Sequence, residues 1–357
     1  MKIDIHFHAL GNGKDICDAE NDIYNNFEDN NHWFVRLLHG ALKDELMRLG
    51  IDINSDGVIS TEEYFILIYN IFKKSKEIDG VVLLAMDAVY DPDTGTRDNR
   101  KTDLYITNTY LSNKINELNQ KLQDDPEVTN PNKKFYLGAS VSPNRNDWEV
   151  ELNAVFDMPD VVLMKWLPSA QHIRVADSRH TEFYQALAEH NLPLLSHVGP
   201  EYTFPEGRRK KNLDKFRDLE LPLDHGVKVI GAHCASPVFP IIDRNDTWRF
   251  YQFMERVNQG GEMKLWADDS ALTMSTRMGI IRKIAKRFDP KYLVHGSDFP
   301  LPFDNWPHHH LLHPSISKQE YVQIKEETNP LDKDIKIKRA YGFSDSILEN
   351  SAAVLGL

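Results

Sequence analysis

Two histidines, His6 and His8, stand two residues apart near the head of the chain, inside the run Lys2-Ile3-Asp4-Ile5-His6-Phe7-His8. Side chains two apart on a strand share a face, so both imidazoles would reach one point in space and could grip one cation. Further along, His197 and His233 each close an apolar run, and Asp298 follows the last one in His295-Gly296-Ser297-Asp298. Imidazole nitrogen with carboxylate oxygen is a donor mixture that Zn²⁺ or another divalent transition metal accepts, with one position left for water where the site is catalytic. Singly, each residue has a plainer reading. A strand-end histidine packs, and an aspartate after a strand caps a helix or makes a turn. What points to a metal is the joint pattern, every member of it at the end of an apolar run.

The elements that must position these residues follow from periodicity. Apolar, β-branched runs occupy 2–8, 80–86, 134–141, 161–166, 192–198, 227–233, 263–269 and 292–297. Near-continuous apolar runs of this length predict parallel strands buried on both faces. Helical patterns lie between them, for example 181–190 and 277–288. Eight alternating units predict an α/β fold closed as a (β/α)₈ TIM barrel, whose functional residues collect at the C-terminal ends of the strands. A doubly wound open sheet is the alternative. It normally carries a glycine-rich turn after its first strand, and the sequence here, His8-Ala-Leu-Gly-Asn-Gly13, is not that fingerprint. A barrel needs about 250 residues. Most of the surplus lies in 9–79, which reads as a helical insertion within a single barrel domain spanning 1–357. Segment 199–226 reads as a long loop after strand five, and the polar segment 119–133 as a surface loop.

Composition narrows the partners. The formal net charge is −12, with 27% charged and 41% hydrophobic residues. This is a globular chain and a poor nucleic-acid binder. One compact basic run, Arg208-Arg209-Lys210-Lys211, is either a solvated loop or a greeting for an anionic substrate. The two cysteines, Cys17 and Cys234, provide neither a disulfide framework nor a cysteine-rich zinc module. The N-terminus lacks the apolar core and cleavage site of a signal peptide, and no apolar stretch reaches the roughly 18 residues of a membrane span. A cytoplasmic protein without a membrane partner is expected.

A second constellation sits inside the insertion. Asp52, Asn54, Asp56, Gly57, Val58, Ser60 and Glu63 fill positions 1, 3, 5, 6, 7, 9 and 12 of a twelve-residue loop. The loop resembles an EF-hand. That resemblance implies Ca²⁺ held by side-chain oxygens, the Val58 carbonyl and a bidentate Glu63, with Gly57 allowing the sharp turn. The plainer reading is an Asp/Asn/Gly turn between helical segments 33–49 and 62–74. A solitary copy predicts a structural clip, not a sensor, and the apolar exit helix is expected to pack on the barrel.

The barrel pieces carry a wider resemblance. DIHFH at 4–8, MKWLPS at 164–169, LPLLSHVG at 192–199, VIGAHCAS at 229–236 and HGSDFP at 295–300 are similar to the amidohydrolase-related branch of the amidohydrolase superfamily. The likeness runs along almost the whole chain apart from the insertion. It implies a metal bound by His6, His8, His197 and Asp298, and catalytic roles for Asp298 and His233. His233 would serve as acid/base, carbonyl polariser or second-metal ligand. Lys165 stands where some members carry a carboxylated lysine bridging two metals. A plain amine, or an ammonium facing substrate, is favoured here, and so is a single ion.

In such a site Asp298 takes a proton from water and passes it to the leaving group, while His233 steadies the developing oxyanion. His295 reads as strand packing, and His308-His309-His310 as an exposed Pro-rich loop. Asp268 or Asp269 would orient a ligand histidine or cap a turn. The leading expectation is hydrolysis of a C–N or C–O bond (amide, lactone or ester) in a small, anionic molecule. Non-oxidative decarboxylation of an aromatic or unsaturated acid is the alternative, and a non-catalytic calcium-binding scaffold the second. Homo-oligomer formation stays open.

Overall fold

A computed structural model describes residues 1–13, 22–25, 40, 44, 47, 60–205, 207–301 and 316–357. Eight parallel strands form one sheet in the order β1 (Ile3–His8), β3 (Gly80–Leu84), β5 (Lys134–Ala139), β6 (Val161–Trp166), β7 (Leu194–Ser196), β8 (Val229–Gly231), β9 (Leu265–Asp268) and β10 (Leu293–Val294). The chain beyond β10 returns to β1 and closes the ring. Ile5 N donates to His295 O at 3.0 Å, Asp298 N to His6 O at 2.8 Å and His8 N to Phe299 O at 2.9 Å. The expected TIM barrel is therefore present, each strand falling inside its apolar run.

Two layers of core follow from the two-residue period of the strands. One apolar cluster joins Ile3, Ile5, Val82, Leu84, Leu163, Leu195, Ile230, Trp266 and Val294, the inward set. The outward set, including Phe7, Val81, Leu83, Phe135, Leu137, Leu194, Val229 and Leu265, belongs to the cluster shared with the surrounding helices. Ala352, Val354 and Leu355 of the C-terminal helix Ser346–Leu355 join the inward cluster. Two residues beyond an inward apolar residue stands a polar one on several strands: Lys165 after Leu163, His197 after Leu195 and Asp268 after Trp266. Asp298 lies four beyond Val294. The barrel interior is thus oily along its length and ionisable at its C-terminal mouth.

The described residues of the inserted segment hold both strand and helix. Ile23–Asn25 (β2) pairs antiparallel with Leu104–Ile106 (β4), a two-stranded sheet that the sequence reading lacks. The predicted exit helix is present as Thr61–Lys74. Its Tyr64, Phe65, Leu67, Ile68, Ile71 and Phe72 are buried, and each such side chain contributes roughly 1.5–3 kcal/mol. Tyr64 ties the helix to the barrel by donating its hydroxyl to His8 O at 2.6 Å. The surface loop expected over 119–133 begins only after Asp124. A helix runs over Asn108–Asp124, because Leu118 and Leu122 extend its apolar stripe and Asn119 clamps the backbone of Phe135. Segment 199–226 holds short helical turns at Phe216–Leu219 and Glu220–Asp224. Among the described residues, no helix is long and apolar enough to cross a membrane.

Candidate metal centre

A β-bulge gives β1 its two inward histidines. Asp4 pairs with Val81 but Phe7 with Leu83, so β1 spends one more residue than β3 over the same span. The parity flips between Ile5 and His6. Below the bulge Ile3 and Ile5 point into the apolar interior; above it His6 and His8 do. Bulges near functional sites commonly re-aim side chains in this way. Gly296 lets the last strand come close, since a Cβ there would lie 2.6 Å from the Cβ of His6.

The result is a compact triangle. His6 Nε2 lies 3.2 Å from His8 Nε2 and 3.3 Å from Asp298 Oδ1, and His8 Nε2 lies 3.1 Å from the same oxygen. A tetrahedron around an ion with bonds of about 2.0–2.1 Å has edges near 3.3–3.4 Å. Two imidazoles and one carboxylate at that spacing fit a divalent metal in donor type and in size. His6, His8 and Asp298 are also a group whose donor atoms lie mutually within 4.8 Å.

The proton on His6 can be placed. Its Nδ1 lies 2.7 Å from Asp268 Oδ2, a carboxylate oxygen in a fully buried residue. A carboxylate there accepts, so Nδ1 carries the hydrogen and Nε2 turns its lone pair to the triangle. Burial first, then the neighbouring Lys165 ammonium, hold His6 well below the usual histidine range. Asp268 was one of two candidates for such an orienting role; the other, Asp269, faces away. Asp269 pairs with Lys338 Nζ at 2.8 Å and lies 3.2 Å from His295 Nδ1, so His295 is tied into a buried polar cluster.

His233 reaches the site by an unusual backbone. His233, Cys234 and Ala235 all have left-handed φ, at 57°, 52° and 49°, and so does Asp298 at 64°. Each such residue costs about 1–2 kcal/mol, and strain of this kind gathers at functional sites. The turn lets His233 N donate to Asp268 Oδ1 at 2.7 Å. His233 Nδ1 lies 2.7 Å from Ser270 Oγ, whose hydroxyl in turn donates to Asp268 Oδ1. That relay places the His233 proton on Nδ1 and leaves Nε2 as an acceptor. His6, His233 and Asp268 also lie mutually within 4.8 Å, but the oxygens of Asp268 are already spent on hydrogen bonds.

Lys165 Nζ stands 3.0 Å from His6 Nε2. Burial lowers this amine to about 8, against the pull of Asp268, Asp298 and Glu201. Burial alone would raise Asp298, yet His6, His8 and Lys165 bring it below the ordinary carboxylate value. His197 is buried beside His233, ring centroids 5.0 Å apart. It is in neither group of mutually close donors. Its Nε2 is nonetheless a buried atom with no hydrogen-bond partner, and Glu201 Oε2 lies 3.7 Å from its Nδ1.

A cleft of about 590 Å³ is lined by Gly199 and Ala235, each two residues past His197 or His233, and by Glu201, Tyr202, Arg209 and Asp214 among others. The basic run divides. Arg208 is tied to Asp103, whereas Arg209 lies over the Tyr202 ring at 5.2 Å and, with Lys211, lines this cleft. Burial pushes Asp214 up to about 6.

Of the calcium-loop residues, Asp52, Asn54, Asp56 and Val58 lie outside the described residues, as do His308, His309 and His310. Ser60 and Glu63 form a reciprocal capping box. Glu63 N donates to Ser60 Oγ at 3.1 Å, and Ser60 N to Glu63 Oε2 at 2.7 Å. Three residues near the site went unread in the sequence. Glu201 is four positions after His197, a weak signal. Asp214 and Arg277 gave none, looking like any polar residue before a helix.

Comparison with known proteins agrees with this architecture. The family model described as Amidohydrolase matches residues 138–322. No curated protein matches the chain in sequence. Among solved structures, a TIM-barrel protein from Bordetella bronchiseptica aligns over 100% of this chain and 99% of its own, with TM-score 0.52 and 11% identity. A probable 2-pyrone-4,6-dicarboxylic acid hydrolase from Acinetobacter baumannii aligns over 100% and 99%, with TM-score 0.46 and 13% identity. A 5-carboxyvanillate decarboxylase from Sphingomonas paucimobilis aligns over 100% and 99%, with TM-score 0.45 and 12% identity. At such identities the likeness concerns the fold alone.

Proposed function

The chain belongs to the amidohydrolase family and is an enzyme, and on that premise we propose a metal-dependent hydrolase acting on a C–N or C–O bond of a small molecule. The observation that carries this reading is the triangle of His6 Nε2, His8 Nε2 and Asp298 Oδ1, with edges of 3.1–3.3 Å. These three residues would hold one divalent transition metal, zinc being the first choice, and His197 would offer a fourth donor through its unpartnered Nε2. A divalent cation there would supply Lewis acidity and a water that ionises near neutral pH.

The protein's own groups do the rest. Asp298 Oδ1 belongs to the triangle, which leaves Oδ2 to take the water proton and return it to the leaving group. His233 Nε2, an acceptor by its hydrogen-bond relay, serves better as a base than as a polarising donor. The Lys165 amine, 3.0 Å from His6 Nε2, can donate a hydrogen bond to the substrate or its product. A bridging, carboxylated Lys165 and a second ion through His233 are not needed for this scheme.

The same donors would serve non-oxidative decarboxylation, a reaction that some of the fold's neighbours carry in their names. The two chemistries separate in ¹⁸O-labelled water. A hydrolase places the label in its product and releases no CO₂. Release of CO₂ without incorporation would replace hydrolysis by decarboxylation. Calcium at residues 52–63 remains a separate proposal, supported by the spacing of its oxygen donors. Its role would be to clip the insertion against the barrel.

A further inference from the structure

Arg277 ends the short helical turn Ser275–Arg277 on the loop after β9. Its side chain is buried, with 3% of its surface exposed. A buried guanidinium normally carries a carboxylate partner, because an unpaired charge is costly to bury. Among the described residues Arg277 has none within ion-pair distance. Its hydrogen bonds are to two backbone carbonyls, Nε to Pro237 O and Nη1 to Ala271 O, both at 3.3 Å. Nη2 has no such bond and is absent from the polar atoms sealed away from solvent. Two of the five N–H groups are spent on the walls, so three remain to be used.

The two carbonyls that hold Arg277 define where it sits: Ala271 follows Ser270, the hydroxyl that links His233 to Asp268, and Pro237 lies four residues after His233. Asp298, Glu201 and Asp268 are the carboxylates acting on it, and it acts in turn on His233. Arg277 thus bridges the loops after β8 and β9 at the barrel mouth, on the side of His233. Those carboxylates are otherwise engaged: Asp298 with His6 and His8, Asp268 with His6 and Ser270, Glu201 with Thr203 N. A divalent cation at the triangle would claim Asp298 and add positive charge, leaving the guanidinium further from neutrality.

We propose that Arg277 is the anion-recognition residue of this site, its free fork pairing with a carboxylate of the substrate while the scissile group lies at the triangle. A planar guanidinium matches the two oxygens of a carboxylate, and such charge-assisted pairs are the strong ones. The inference rests on the metal-enzyme reading for the identity of the ligand as substrate, but the binding itself needs only the guanidinium.

The test uses the metal-loaded protein with malonate and benzoate as probes and their neutral amides as controls. Binding is read by titration calorimetry and by the shift in melting temperature, in wild type, Arg277→Lys and Arg277→Met. The acids bind wild type and raise its melting temperature, while the amides do not. The Lys variant loses at least about tenfold in affinity because it keeps the charge without the fork, and the Met variant loses more. Without ligand, the Met variant melts at or above wild type, since an uncompensated charge has been removed.

Equal affinities across the three proteins, or no difference between acids and amides, overturn the proposal. A Met variant that is much less stable, together with a Lys variant of full affinity, makes Arg277 a structural cation and overturns it too. Metal content measured on the same samples keeps the two readings apart. Protein that binds no transition metal yet shows the Arg277-dependent shift contradicts the metal reading and upholds this one.

Discussion

A single proton on His6 decides what the centre can be. Asp268 holds that proton on Nδ1, and so turns the Nε2 lone pair toward His8 and Asp298. Replacing Asp268 by Asn keeps the shape and removes the charge that fixes the tautomer. Metal affinity, measured by competition with a chelator, should fall by about 10–100-fold, and an unchanged affinity would show that Asp268 has no part in it. His6, His8, Asp298 and Lys165 were legible in the sequence because each stands at or just past the end of an apolar run. Arg277 was not legible. Burial and the lack of a partner are what single it out, and neither leaves a mark on the sequence.

At the scale of elements, the eight strands were readable from apolar runs, but the bulge in β1 was not. It is a property of pairing between β1 and β3, and it alone makes both histidines point inward above two inward isoleucines. The three-residue pair of β2 and β4 was equally hidden, being too short to show a period. The helix Thr61–Lys74 was read correctly, and its first turn offers a clean experiment. Gln can replace Glu63 in a capping box but cannot supply the charge a Ca²⁺ ion needs. Calcium should raise the melting temperature of wild type and leave that of Glu63→Gln where it was, with the two proteins equally stable in chelator. Equal calcium shifts would reject the calcium loop and leave Ser60 and Glu63 as a cap alone.

For the whole molecule, a closed barrel places an apolar interior under an ionisable mouth, and burial away from that mouth can hold a histidine neutral. His180 is one. It is buried, with Nε2 3.2 Å from Asn144 Oδ1, and burial lowers it to about 4 from an ordinary 6.5. The unfolded chain binds this proton first, so stability rises with pH between about 4 and 6.5 and is lost as pH falls through that window. The loss is up to roughly 3 kcal/mol. In metal-free protein, the stability gap between wild type and His180→Gln should be constant above pH 6.5. It should shift in favour of the variant toward pH 4; a gap independent of pH would mean that His180 is not forced to remain neutral.

The overall order of strands, and the convergence of residues more than 290 positions apart, was implied by the alternation of β and α segments. The closing contacts from His295 to Phe299 onto β1 are what turn that implication into a site. The most direct test of that convergence is an anomalous-scattering map from crystals of the metal-loaded protein, collected at the absorption edge of the bound metal. One peak should lie about 2.0–2.2 Å from His6 Nε2, His8 Nε2 and an Asp298 oxygen. A loaded protein whose peak lies elsewhere, or that shows none between β1 and β10, would contradict the account.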